Sequence, residues 1–236
     1  MNHLFSGLIY YDWTYFLIMI PCLILSLITS ASVKSRFSKY SRIENSRHMT
    51  GAQAAYQLLS AHGVTGVKIE HVSGNLTDHF DPRTNTIRLS DSVYGSTSVA
   101  AVGVACHEAG HAVQHAEGYF PNKLRGVILP VANIGSKLSW LFVIIGMMLP
   151  VKFNFVITIG IVLFSAAVLF TLITLPVEFN ASSRALKTIK ETRMLNEAEY
   201  AGAKSTLSAA AMTYVASAAT ATLQLLRLIL IANRRR

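Results

Sequence analysis

Charge is scarce in this chain. Asp, Glu, Lys and Arg make up 14% of its 236 residues, against about 25% in an ordinary soluble domain. Hydrophobic residues account for 52%, and the mean hydropathy is +0.41. Such a composition excludes an ordinary soluble enzyme and points to a membrane protein. Cysteine is nearly absent as well. The two present, Cys22 and Cys106, both lie in apolar stretches and read as small buried hydrophobes, not as a disulfide framework. The first thirteen residues contain no Lys or Arg, so the basic leader of a cleavable signal peptide is missing. Nor is the net charge of +9 gathered into one groove with interleaved aromatics. The basic residues flank apolar runs instead, which argues for membrane topology and against nucleic acid as a partner.

What is present is a series of apolar runs. From Thr14 to Val33 no residue is charged, and about twenty such residues suffice to span the hydrocarbon core. Pro21 can kink such a helix without forbidding it. Lys34, Arg36, Lys39, Arg42 and Arg47 follow. This asymmetry places the N-terminus outside and the chain from residue 34 in the cytoplasm. Val127 to Val151 reads as a second span, interrupted by Lys137, which must face protein or water, or snorkel. Phe155 to Val177 contains no charge and is the clearest span. Two antiparallel crossings return whatever follows Val177 to the side that precedes residue 127. Ser205 to Leu226 is uncharged but rich in Ala, Ser and Thr. It could span, or its first half could be a buried helix of the soluble part. Arg234, Arg235 and Arg236 would sit outside after a fourth crossing, against the positive-inside tendency.

Residues 50–117 read as water-soluble. TGAQAAYQLLSAHG is an amphipathic helix with Thr50 as N-cap and Gly63 as stop. Val67 to Val72 alternates like a strand. NLTDHFDPRTNTIRLS reads as two short strands about a turn from Asp81 to Asn85. TSVAAVGVACHEAGHAVQHAEG is a helix closed by Gly118. The expected fold class is α+β: a mainly helical polytopic membrane protein with a small cytoplasmic catalytic domain, a short sheet and a motif helix. Its expected parts are an N-terminal transmembrane helix at 1–33, a catalytic region at 34–126, two transmembrane helices at 127–177, and a third-ligand helix with further C-terminal helices at 178–236.

The motif is His107-Glu108-Ala109-Gly110-His111, an instance of H-E-x-x-H. Positions four apart share a helix face, so both imidazoles can reach one zinc ion. Glu108 then lies beside the open coordination position, where it can take a proton from water. The pattern is short enough to occur by chance, and the rest of the chain must decide. Catalytic zinc takes three protein ligands as a rule. His115 shares the face of His107 and His111, but two four-residue steps separate His107 from His115 by about 12 Å. A rim or supporting role suits His115 better. Glu178 lies just past an apolar run on the same side of the membrane, where Pro176 suits the start of a new helix. An acidic residue in a first helical turn is also ordinary dipole chemistry, so position alone leaves both readings open.

Three separated stretches carry a resemblance: HEAGHAVQH, the upstream LTDHFDPRTNTIRLSDSVYG and the downstream TLPVEFNASSRALK. Taken in chain order, with membrane segments between HEAGHAVQH and TLPVEFNASSRALK, they resemble the YugP-type neutral zinc metallopeptidases of bacterial membranes. The likeness runs over most of the chain. It implies a gluzincin-like site with one Zn²⁺ per chain, in which Glu178 is the third ligand beside His107 and His111. It also marks two departures. Where the wider clan often carries Asp four residues after this Glu, supporting a ligand His, this chain has Ser182. Where Asp is common, it has Asn180. Hydroxyl and amide groups are weaker acceptors than carboxylate.

The expected activity is zinc-dependent endopeptidase hydrolysis of cytoplasmic or membrane-proximal polypeptides, with Glu108 as general base. Tyr214, His79 and Arg184 are candidate donors to the oxyanion or contacts to substrate. The strand near Leu76 to Phe80 is a candidate for pairing with an extended substrate. Asp81 is better explained by its turn. Two other readings stand beside this one. A site-2-type intramembrane protease also uses H-E-x-x-H, but it needs a later Asp-Gly, and Asp91 is the last aspartate here. A non-enzymatic membrane scaffold or channel predicts no bound metal.

Overall fold

In a computed structural model, residues 13–234 are described. The outward-facing N-terminus and the tail residues Arg235 and Arg236 of the expectation lie outside them. The elements are α1 (Trp13–Tyr40), α2 (Gly51–Ala61), β1 (Lys68–Val72), β2 (His79–Asp81), β3 (Thr86–Ser90), α3 (Val99–Ala116), α4 (Phe120–Met148), α5 (Phe155–Glu191) and α6 (Glu197–Arg234), with a 3₁₀ turn at Val151–Phe153. The chain is thus mainly helical with one small sheet, and four helices (α1, α4, α5 and α6) are long and apolar enough to cross a membrane.

The short elements start and stop where the local chemistry dictates. Thr50 and Gln53 form a reciprocal capping box at the start of α2. Ser98 caps α3 by accepting from the backbone N–H of Ala101 at 3.2 Å. Gly118 ends α3 at φ +67°, a left-handed conformation that suits glycine. The sheet order is β1-β3-β2, with β1 parallel and β2 antiparallel to β3. The turn between β2 and β3 is tied by Asp81, which accepts from the Arg83 N–H, the Thr84 hydroxyl and the Arg88 guanidinium. These bonds pull the Asp81 carboxyl down to about 2. β3 is central and buried; β2 is a three-residue edge.

The main core joins Leu58 of α2, Ile87 and Leu89 of β3, and Val102, Cys106 and Val113 of α3 to Ile189 of α5 and Leu207 of α6. Burial of this kind is worth about 1.5–3 kcal/mol per large aliphatic side chain. Two of the long helices therefore extend beyond their apolar stretches and pack into this core. Cys106 is fully buried there, which pushes its thiol pKa up.

α4 and α5 form an antiparallel hairpin in which small residues allow close approach. A Cβ on Gly135 would lie 2.7 Å from the carbonyl oxygen of Leu163, and one on Gly146 would lie 2.5 Å from the side chain of Ile157. Lys137 is exposed on α4 and so does not face protein, which leaves water or snorkelling of the alternatives. Leu17, Leu27, Val131, Ile134, Val162 and Leu169 are also exposed, an apolar exterior suited to lipid.

One expectation needs correction. No helix starts at Pro176. α5 runs unbroken through it, so Glu178 lies in mid-helix and its presence is not first-turn dipole chemistry. A proline there removes one backbone donor, which a long, packed helix tolerates. Ser205 to Leu226 combines the two alternatives held open for it, as part of the continuous α6, which is also long and apolar enough to span. Its first turns join the main core. Its far end reaches the α4–α5 turn, where the Asn154 side-chain amide donates to the Ala232 carbonyl at 3.1 Å.

Candidate metal centre

The site forms where α3 crosses α5. The crossing is close because Gly110 offers no side chain: a Cβ there would lie 2.7 Å from the carbonyl oxygen of Ala181. On either side of this contact, His107 and His111 of α3 face Glu178 and Ser182 of α5. The Nε2 atoms of the two histidines stand 3.2 Å apart. Glu178 Oε2 is 3.3 Å from His107 Nε2 and 3.5 Å from His111 Nε2. It is buried without a well-formed hydrogen bond. Among the described residues these three form the one cluster able to hold a metal ion.

The geometry fits a cation. With bonds of about 2.0–2.1 Å, two ligands of a tetrahedral zinc stand about 3.3 Å apart. Three lone pairs converging at that spacing would repel one another with nothing between them. The field agrees. Burial pulls the His111 pKa down, but the adjacent Glu178 carboxylate and the negative charge of Glu108 outweigh it, and the net direction is up. The surroundings favour positive charge at this point.

Each candidate ligand is held from behind. Ser182 Oγ lies 3.0 Å from His107 Nδ1. Gln114, fully buried, places Oε1 3.1 Å from His111 Nδ1. Its amide nitrogen donates to the Val177 carbonyl at 2.8 Å and to Asn180 Oδ1 at 2.9 Å. A carbonyl can only accept, so the Gln114 amide orientation is set. Oε1 must then accept from His111 Nδ1–H, which leaves the Nε2 lone pair for a cation. Arg125, in the first turns of α4, donates to Glu178 Oε1 at 3.1 Å and leaves Oε2 facing the histidines.

A cavity of about 630 Å³ opens onto this cluster, lined on one wall by β2 and on another by the start of α4. Glu108, His79, His115 and Tyr214 all line it. His115 is exposed and leans on the Phe80 ring at 5.7 Å, outside the three-residue cluster. His79 Nδ1 is 2.8 Å from the Thr77 carbonyl, so that nitrogen donates locally. Arg184 is placed elsewhere. Its Nε donates to Asn180 Oδ1 at 2.7 Å and its Nη1 meets Glu117 Oε2 at 2.7 Å, and it is not among the cavity residues. Gln114 and Arg125 are absent from the sequence-based set. Gln114 had a signal, since it lies three residues after His111 on the same helix. Arg125 had none, because only the fold brings the start of α4 to Glu178. Asp78 serves the loop, accepting from the Ser90 N–H at 2.7 Å and the Ser90 hydroxyl at 3.0 Å.

The chain is 47% identical over 212 residues to the "Putative membrane protease YugP" of Bacillus subtilis (strain 168), a match that covers 90% of this chain and 93% of the relative. No solved structure matches it. Residues 15–233 match the family described as "Putative neutral zinc metallopeptidase", and the chain belongs to that family of zinc peptidases.

Proposed function

We propose that the protein is a membrane-embedded zinc endopeptidase that cleaves cytoplasmic or membrane-proximal polypeptide. The observation that carries this reading is the convergence of His107 Nε2, His111 Nε2 and Glu178 Oε2 at 3.2, 3.3 and 3.5 Å beside the Glu108 carboxylate. These three residues hold one zinc. When bound, the metal supplies Lewis acidity, polarising the scissile carbonyl and lowering the pKa of a water from 15.7 to about 7.

The chain's own groups do the rest. Glu108 accepts the proton of the attacking water as the new carbon–oxygen bond forms. It delivers that proton to the departing amide nitrogen as the carbon–nitrogen bond breaks. Tyr214 lines the cavity and is the candidate donor for the developing oxyanion. His79 spends one ring nitrogen on Thr77, and Arg184 is occupied by Glu117 and Asn180. β2, a sheet edge on the cavity wall, offers backbone groups to an extended substrate. Ser182 and Gln114 keep the ligand imidazoles oriented.

The site lies on the cytoplasmic face. Lys34, Arg36 and Lys39 occupy the end of α1 that meets the start of α6, where Arg36 hydrogen-bonds Ser205. The site-2-type alternative is weaker, since α3 is not among the four helices suited to crossing a membrane. The test is cleavage with the purified protein in vesicles, comparing wild type with Glu108→Gln, followed by a proteome comparison to identify substrates. Loss of about 10²–10⁴ in rate with zinc retained is expected. Cleavage by Glu108→Gln at the wild-type rate would overturn the assignment.

A further inference from the structure

A second cavity of about 530 Å³ lies among the long helices, away from the metal centre. α6 forms its floor with Ala216, Ser217, Thr220 and Ala221, residues small enough for another backbone to approach closely. α1 forms one side through Cys22 and Ser26. Trp140 of α4 and Phe164 of α5 form the other.

The floor ends in Gln224. This side chain is 5% exposed, yet among the described residues neither its amide nitrogen nor its amide oxygen has a hydrogen-bond partner. A buried, unpaired amide among apolar helices is unfavourable unless something arrives to pair it. A lipid tail carries neither donor nor acceptor and would leave that cost in place. A helix bearing Asn, Gln, Ser or Thr would remove it.

We propose that this cavity seats a transmembrane helix of the polypeptide to be cleaved, and that Gln224 selects a polar side chain on it. The proposal rests on the peptidase reading of the metal centre. Its geometry joins the two places. Tyr214 at the metal cavity and Gln224 at the second cavity stand ten residues apart on one helix, a rise of about 15 Å. The guest spans that distance with about ten residues if helical, or about five if extended. The selected polar residue therefore lies about five to ten residues from the cleaved bond. The enzyme would thereby prefer membrane segments whose polar residue lacks its own partner.

Cross-linking tests this without requiring hydrolysis. The full chain carries Glu108→Gln, Cys22→Ala and Ser217→Cys, the last at an exposed floor position, in phosphatidylcholine vesicles. The probes are single-span Leu/Ala peptides with one cysteine, with or without one asparagine. The asparagine peptide should form the disulfide about three- to thirtyfold more than the all-apolar peptide. Gln224→Leu should remove that preference while zinc content stays unchanged. With Gln224 present, moving the asparagine two residues around the guest helix should also remove it. Ala221→Trp should lower capture of both peptides. Equal capture of the two peptides would overturn the proposal, as would a preference that survives Gln224→Leu. A phospholipid retained at one per chain that neither peptide displaces would overturn it in favour of lipid. If cleavage fails but this preference holds, the peptidase reading has failed and the seat remains.

Discussion

Gln114 Oε1 lies 3.1 Å from His111 Nδ1, and the Gln114 amide nitrogen lies 2.8 Å from the Val177 carbonyl. One buried side chain thus fixes the tautomer of a proposed ligand and ties α3 to α5. Gln114→Leu keeps the volume but removes both roles. Zinc affinity, measured by competition with a chelator, should fall about 10- to 100-fold. The Val177 carbonyl loses one of its donors, so the thermal midpoint should also drop.

Ser182 supports the other imidazole, with Oγ 3.0 Å from His107 Nδ1. Ser182→Ala should weaken zinc binding about tenfold. Ser182→Asp supplies a stronger acceptor at the same place and should bind zinc more tightly than Ser182→Ala. The same competition assay checks both, and equal affinities across the three proteins would contradict this role.

Much of this site is legible in the chain because helical periodicity is local. His107 and His111 are four apart, and that alone aligns them. Glu178 is less legible: counting two crossings puts it on the side of His107 and His111 but leaves its role open, and only the resemblance of TLPVEFNASSRALK to the family marks it as a ligand. The rest depended on tertiary packing. Pro176 has the signature of a helix start, yet packing against α3, α4 and α6 carries α5 through it. Arg125 and Glu178 are 53 residues apart in sequence, and no local pattern predicts that an arginine opening a span will meet them. Arg184 shows the converse. Its charge suggested a substrate contact, but Glu117 lies within reach one helix away.

Gly110 illustrates a packing requirement hidden inside a motif. Its missing side chain lets α3 approach Ala181, whose carbonyl oxygen would stand 2.7 Å from an added Cβ. Gly110→Ala must push α3 and α5 apart. A loss of about 1–3 kcal/mol is expected for such overpacking, read as a lower thermal midpoint, with zinc affinity reduced because Glu178 moves with α5. Gly126, whose Cβ position is open, serves as the control.

Asp81 gives a dependence on pH. Its carboxyl is held at about 2 by the Arg83 N–H, the Thr84 hydroxyl and Arg88, below the unfolded value of about 3.9. A depressed pKa means that the ionised form is favoured by the folded turn. Its contribution is complete above pH of about 4 and is lost as pH falls towards 2. Amide protection in β2 and β3 should therefore decline over that interval in the wild type. In Asp81→Asn it should start lower and change less.

The central claim is that His107, His111 and Glu178 hold one metal ion. It is tested most directly by the zinc content and affinity of the purified protein beside those of Glu178→Gln. The prediction is about one zinc per wild-type chain, with an affinity at least about a hundredfold lower in Glu178→Gln, since a directly bound oxygen should matter more than the 10- to 100-fold of a supporting group. A wild type that binds no zinc, or a Glu178→Gln protein that binds it as tightly as the wild type, would contradict the account.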